Sequence, residues 1–139
     1  MSRGPREGAD DLRAATLRNE SRVRAARDHL YTTGLSRQQA AERASVRPNQ
    51  ITNLLRDRAL VALDGRDGLR LPAWQFDPDA RRGRVEGIAD VAGAFPGGVL
   101  GLSSWMVAPN GALGGRTPRQ ALLDGDVEQV AAVASHQGA

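Results

Sequence analysis

The 139-residue chain contains no cysteine, no lysine and only two histidines. Without cysteine there can be no disulfide, thiol nucleophile or thiolate metal site, a composition that suits a cytoplasmic protein. His29 and His136 alone cannot make a histidine-rich metal centre, so no metal and no cofactor is expected. Aromatic residues are scarce, at 4%, and no apolar run approaches the ~18 residues of a transmembrane helix. The opening segment MSRGPREGADD lacks the apolar stretch of a secretion signal. No membrane partner is therefore expected.

Hydrophobic residues make up 40% of the chain, enough to bury a core in one ordinary domain or two small ones. The net charge of +3 is unevenly distributed. Up to Arg84 there are 17 Arg against 11 Asp and Glu; from Val85 onward there are 2 against 5. A basic first half and an acidic second half suggest two tasks, one of them on nucleic acid. All 19 basic residues are arginine, which reflects GC-rich coding more than phosphate recognition.

Residues 1–10 are expected to be disordered. From Asp11 to Tyr31 the apolar residues Leu12, Leu17, Val23, Ala26, Leu30 and Tyr31 give an imperfect helical stripe. The rest of that helix is rich in arginine. It reads as a solvated face with i,i+4 pairs such as Glu20 with Arg24, ahead of a phosphate-binding strip. Gly34 stops the helix. Ser36 and Gln39 then form a capping box, which starts a short helix from Arg37 to Ala44. Its inward residues Ala40, Ala41 and Ala44 are small, so another helix can cross closely.

After the turn Ser45-Val46-Arg47 a helix begins at Pro48. Ile51, Leu54 and Leu55 fall on its inner side, leaving Asn49, Gln50, Thr52, Asn53 and Arg56 outside. Amides suit adenine edges and guanidinium suits guanine. Two layouts fit: a helix-turn-helix that reads DNA, or an αα-hairpin with a polar surface. The usual glycine is missing from the turn, and Ser45 or Val46 must hold its place. Next, Val61-Ala62-Leu63 and Leu69-Arg70-Leu71 flank a Gly/Asp turn, which predicts a β-hairpin. Behind a recognition helix such a hairpin is a wing, with Arg66 and Arg70 within reach of phosphates. The region resembles the compact winged helix-turn-helix domains of excisionase and MerR-type DNA binders. Trp74 and Phe76 either close the core below the wing or, for Trp74, stack on a base, the core role being the stronger reading.

The polar stretch DPDARRGR, residues 77–84, is placed as the junction between a DNA-binding unit at 11–78 and a helical unit at 79–139. Four short helices are predicted in the second unit. Val85, Ile88, Ala92 and Phe95 mark the first; Leu102, Trp105 and Met106 the second. Thr117-Pro118 opens the third, and Asp126 caps the fourth, along Val127, Val130, Ala131 and Ala134. The fold class is thus mainly α: a helix-turn-helix with a small β-hairpin wing, followed by a small antiparallel helical bundle.

The run from Trp105 to Pro118, WMVAPNGALGGRTP, is followed by Ala121-Leu122-Leu123 and Gly125-Asp126. It resembles the toxin-binding domain of Xre/MbcA/ParS-type antitoxins, from about Val85 to the C-terminus. Those carry Trp, then Pro-Asn, then Leu-Gly-Gly, a basic or polar residue, Ser/Thr-Pro and a leucine-rich helix. The resemblance implies a type II antitoxin that neutralises a cognate toxin, often of the NAD-consuming RES class, and represses its own operon at operator DNA. It implies toxin contacts at Asn110, Leu113, Gly114, Gly115, Arg116 and Thr117. Many members carry an Xre-like first half; the winged pattern here departs from that. Asn110 and Thr117 also serve local caps well, whereas no cap requires Arg116. The tail Ser135-His136-Gln137-Gly138-Ala139 either reaches into a toxin's cleft or frays.

Dimer contacts are expected from the acidic second half, as a homodimer or within a toxin–antitoxin hetero-oligomer. A stand-alone dimeric regulator without a toxin partner is the alternative. No catalytic residue is expected: Asp124, Asp126 and Glu128 lack a histidine or nucleophile beside them, and LGGRTP lacks the strand and lysine of a P-loop.

Overall fold

The computed structural model describes residues 5–137. Residues 1–4 and the last two tail residues, Gly138 and Ala139, lie outside the described residues. The described chain is mainly helical, with seven α-helices and one two-stranded antiparallel sheet.

Helix α1 spans Pro5–Thr33, so it starts six residues ahead of the Asp11 expected from the apolar stripe, and residues 5–10 are helical. Proline at the first helical position has no N–H to lose, so it opens the helix without cost. α1 makes little contact along most of its length. Leu12 is 73% exposed and Leu17 is 60% exposed. Near its C-terminal end Ala26, Leu30 and Tyr31 are half-buried against the body. No helix is formed there with Glu20 and Arg24 bridged: the expected i,i+4 ion pair is absent among the described residues.

Helix α2, Arg37–Ala44, begins with the expected capping box. Gln39 N–H donates to Ser36 Oγ at 3.1 Å, and Ser36 N–H donates to Gln39 Oε1 at 2.8 Å. Ala40, Ala41 and Ala44 are buried. Ser45 ends the helix at φ 55°, ψ 44° and so takes the left-handed place that glycine usually fills. Helix α3, Pro48–Arg56, packs back on α2 through Ile51, which is fully buried.

The hairpin pairs β1, Leu63–Gly65, with β2, Gly68–Arg70, in the register Leu63 to Arg70. Both strands sit nearer the turn than the sequence suggests. The reason is Gln75, which is fully buried. Its Oε1 accepts from Val61 N–H at 2.6 Å, and its Nε2 donates to Val61 O at 2.9 Å and Pro72 O at 3.1 Å. Val61 therefore spends its backbone groups on a side chain instead of a ladder. Leu35 and Leu71 form a further antiparallel bridge, which ties the start of α2 to the end of the hairpin.

The second half contains α4, Ile88–Ala94; α5, Val99–Met106; α6, Pro118–Leu123; and α7, Val127–Ser135. α4 lies along α7, and α6 beside α7, as a small bundle. Val91 is buried on α4, whereas Ala92 and Phe95, placed on the inner stripe from sequence, are only half-buried.

The stretch 77–84 is not a loose linker. Asp77 N–H donates to Gly83 O at 3.0 Å, and Val85 N–H to Gln75 O at 2.8 Å. Gly83, at φ +68°, passes so near α2 that a Cβ there would sit 2.2 Å from Arg43 O. One continuous apolar core runs from Ala40 and Ile51 through Trp74 and Phe76 to Ile88, Leu122 and Val130. Trp74 Nε1 donates to Ser103 Oγ at 3.0 Å, across the two halves. Trp74 is only 8% exposed, so it closes the core and cannot stack on a base.

Candidate functional site

The five polar residues expected on the outer side of α3 are all exposed: Asn49, Gln50, Thr52, Asn53 and Arg56. Local bonds already engage three of them. Arg47 N–H donates to Gln50 Oε1 at 2.8 Å, so Gln50 works as a helix cap. Arg56 donates to Asn53 Oδ1, and among the described residues the Asn53 amide nitrogen makes no hydrogen bond. Thr52 and Asn49 make no side-chain bond among the described residues. The face thus presents amide, hydroxyl and guanidinium groups from a short, well-anchored helix. That is the chemistry that base edges and phosphates accept.

The hairpin turn is held against α1 rather than α3. Tyr31 Oη donates to Gly68 O at 3.2 Å and accepts from Asp67 N–H at 2.9 Å. Arg70 lies over the Tyr31 ring, 4.9 Å from its centroid, and donates from Nη1 to Leu69 O at 2.9 Å. Arg70 is therefore half-buried and stacked, while Arg66 is exposed at the turn. Among the described residues no hydrogen bond or ion pair joins Arg66 or Arg70 to the outer face of α3. A groove instead groups Arg66 with Arg27, Asp28 and Tyr31 of α1.

The loop between α5 and α6 is tightly specified. Asn110 Oδ1 accepts from Ala112 N–H at 2.9 Å, Gly115 N–H donates to Asn110 O at 2.9 Å, and Asn110 N–H to Arg116 O at 3.0 Å. Thr117 caps α6 with a reciprocal pair to Gln120, both bonds near 3 Å. Gly114 and Gly115 take φ +70° and +85°, conformations that other residues resist.

Two residues in the loop depart from expectation. Leu113 is 1% exposed and belongs to the core, so it cannot touch a partner. Arg116 is not spare. Its Nη1 donates to Asp126 Oδ2 at 2.7 Å and Asp124 Oδ2 at 2.9 Å, and its Nε to Leu113 O at 3.0 Å. Hydrogen bonds donated to Asp126 and then Asp124 hold the guanidinium's pKa above its ordinary value. The arginine clamps the loop onto the α6–α7 turn, and the acidic cluster has found its counter-ion.

The described part of the tail is also engaged. His136 Nδ1 lies 2.8 Å from Ala132 O, and Gln137 Nε2 donates to Val133 O at 3.1 Å. Both side chains fold back on α7.

Sequence reasoning missed Arg119. From α6 it donates to Trp74 O at 2.7 Å, Phe76 O at 2.9 Å and Asp77 Oδ2 at 3.1 Å. It fastens the second half to the first across more than forty residues of sequence, a separation that carries no local signal. Only the pairing of a half-buried cation with two backbone carbonyls reveals it.

Among the described residues, no group of three or more His, Asp or Glu side chains could hold a metal ion. No helix there is long and apolar enough to cross a membrane. No protein-family model, curated protein or solved structure matches the chain.

Proposed function

We propose that this chain is an antitoxin that binds operator DNA through its first half and a cognate toxin through its second. In this reading α2 and α3 form a helix-turn-helix, the hairpin is its wing, and α3 enters the major groove. Asn49, Thr52, Asn53 and Arg56 read bases, with Arg66 on the backbone. Gln50 and Arg70 play positioning parts, since local contacts occupy them. The toxin, of the RES class by the resemblance of residues 105–126, is neutralised by occupation of its surface.

The observation that carries the toxin half is Gly111. Its φ is ordinary, and a Cβ there would meet nothing within 4 Å. Neither packing nor backbone geometry inside this chain asks for glycine at the crown of a rigid, exposed loop. Such a glycine leaves room for close approach by another molecule. The contact surface is then the open crown, Gly111, Ala112, Gly114 and Gly115, with Asn110, Arg116 and Thr117 shaping it from beneath.

The test is co-expression with the toxin from the neighbouring reading frame. Gly111→Tyr adds bulk without disturbing the fold. It should lose rescue of growth while keeping operator binding in a gel shift. Full rescue by Gly111→Tyr would remove the loop from the interface.

A second reading, a stand-alone dimeric regulator, is favoured by one observation: Leu113 is buried and Arg116 is engaged by Asp124 and Asp126 inside the chain. It predicts that no neighbouring toxin is neutralised by the parent chain.

A further inference from the structure

Helix α1 extends away from the body with a mixed seam that the described residues cover only at its C-terminal end. Leu12, Thr16, Asn19, Val23, Ala26 and Leu30 follow one another at alternating steps of four and three residues. That spacing keeps them on one face and makes a coiled-coil seam. At the C-terminal end Ala26 and Leu30 line a groove against Trp74 and Leu100 of the body. Further out the seam continues into solvent, with Val23 44% exposed and Leu12 73% exposed. Leu17 lies off this line. An exposed leucine alone means little; a seam that is half-buried at one end and bare at the other calls for an occupant.

The seam is complementary to itself when reversed. Set two copies of α1 antiparallel, with Leu12 of one against Val23 of the other. Thr16 of each copy then meets Asn19 of the other at the centre. Thr16 Oγ1 donates to its own Leu12 O at 2.9 Å, so its lone pairs remain to accept from the Asn19 amide. Beside the seam, Arg13 of each copy falls about two residues from level with Glu20 of the other. Both are exposed, and among the described residues neither forms an ion pair. In a parallel pairing the flanking contact is Arg22 against Arg27, which repels. Charge thus selects a second copy, and selects its direction.

We propose that α1 is a dimerisation arm, pairing with α1 of a second copy in antiparallel register. The pairing stands apart from the toxin reading and depends on nothing in it. The polar central layer weakens the pair and fixes its register, as a buried asparagine does in a coiled coil. This replaces the acidic bundle as the expected dimer contact; Asp124 and Asp126 there are already spent on Arg116.

The test uses the full chain in sedimentation equilibrium and disulfide trapping, which the absence of native cysteine makes clean. The parent should give a concentration-dependent dimer. Val23→Glu should give a monomer with unchanged circular dichroism, since this residue contacts little else. Arg13→Glu should weaken the dimer, and Arg13→Glu with Glu20→Arg should restore it. On oxidation, a mixture of Leu12→Cys and Val23→Cys chains should form a covalent heterodimer, and Leu12→Cys alone should not. A monomeric parent overturns the proposal. So does a dimer indifferent to Val23→Glu, which places the interface elsewhere. Efficient crosslinking of Leu12→Cys to itself overturns the antiparallel register.

Discussion

Single side chains decide how much of this surface is free to bind. Arg116 and Arg119 sit three residues apart, and both are committed within the chain. Arg119 holds the carbonyls of Trp74 and Phe76 with Asp77. Arg119→Ala removes charge-assisted bonds and strands two carbonyls, which should cost about 2–3 kcal/mol in urea unfolding. Arg119→Lys should recover little, because a single ammonium cannot span the same fork. Gln75 is the neutral counterpart. Gln75→Leu keeps the volume but orphans Val61 N–H and O, with an expected loss of about 2–4 kcal/mol at ~1–2 kcal/mol per group. Neither role was legible in sequence. A buried glutamine and a bridging arginine look like ordinary polar residues until the segments they join come together. The Arg116 clamp was nearer to view, since Asp124 and Asp126 stand opposite in charge a short distance on. What hid it was the assumption that a residue no cap requires is free.

At the scale of elements, the short-range chemistry was the most legible. The Ser36–Gln39 and Thr117–Gln120 boxes start α2 and α6 where the sequence puts them. Such signals lie within one turn of chain and need no tertiary partner. Hairpin bounds shifted because a distant residue, Gln75, took the backbone of Val61. The turn between α2 and α3 offers a direct measurement. Ser45 sits at φ 55° with its side chain exposed, a conformation that costs an L residue about 1–2 kcal/mol. Ser45→Gly should therefore raise stability by about 0.5–1 kcal/mol, part of the relief being lost to the freer unfolded chain. Ser45→Val should lower it by about 1 kcal/mol or more. For the outer face of α3, Asn53→Ala or Arg56→Ala should cost about 1–3 kcal/mol of discrimination between operator and unrelated DNA, read by gel shift at fixed salt. Their fold should be intact, because both point to solvent. If the double variant keeps operator preference, α3 is a polar surface and not a reading head.

For the molecule as a whole, the two halves differ in charge, yet one apolar core runs through both. The polar stretch 77–84 suggests a junction between a unit at 11–78 and one at 79–139. In the structure the core passes without a break from Ile51 through Trp74 and Phe76 to Ile88 and Leu122. Trp74 bonds to Ser103, Arg119 bonds back to Trp74, and Gly83 rests on the end of α2. Composition reports charge along the chain; it does not report which aromatic closes whose core. A shared core has a thermodynamic consequence, since neither half can open without exposing the other's apolar surface. Calorimetry of the monomeric Val23→Glu chain should therefore give one transition, with the calorimetric enthalpy equal to the van't Hoff enthalpy. Removing Trp74 as Trp74→Ala should lower that single transition by the ~3–5 kcal/mol of a buried tryptophan, without splitting it. A fragment of residues 79–139 should lack cooperative melting, because Trp74 and Phe76 are missing from its core. Two resolved transitions in the full chain, with Trp74→Ala moving only one, would mean that the halves fold separately. If there is one transition, then under the proposed function a toxin on the α5–α6 loop and DNA on α3 would bind a single folding unit. Each ligand then raises the melting temperature of the whole chain, including the half it does not touch.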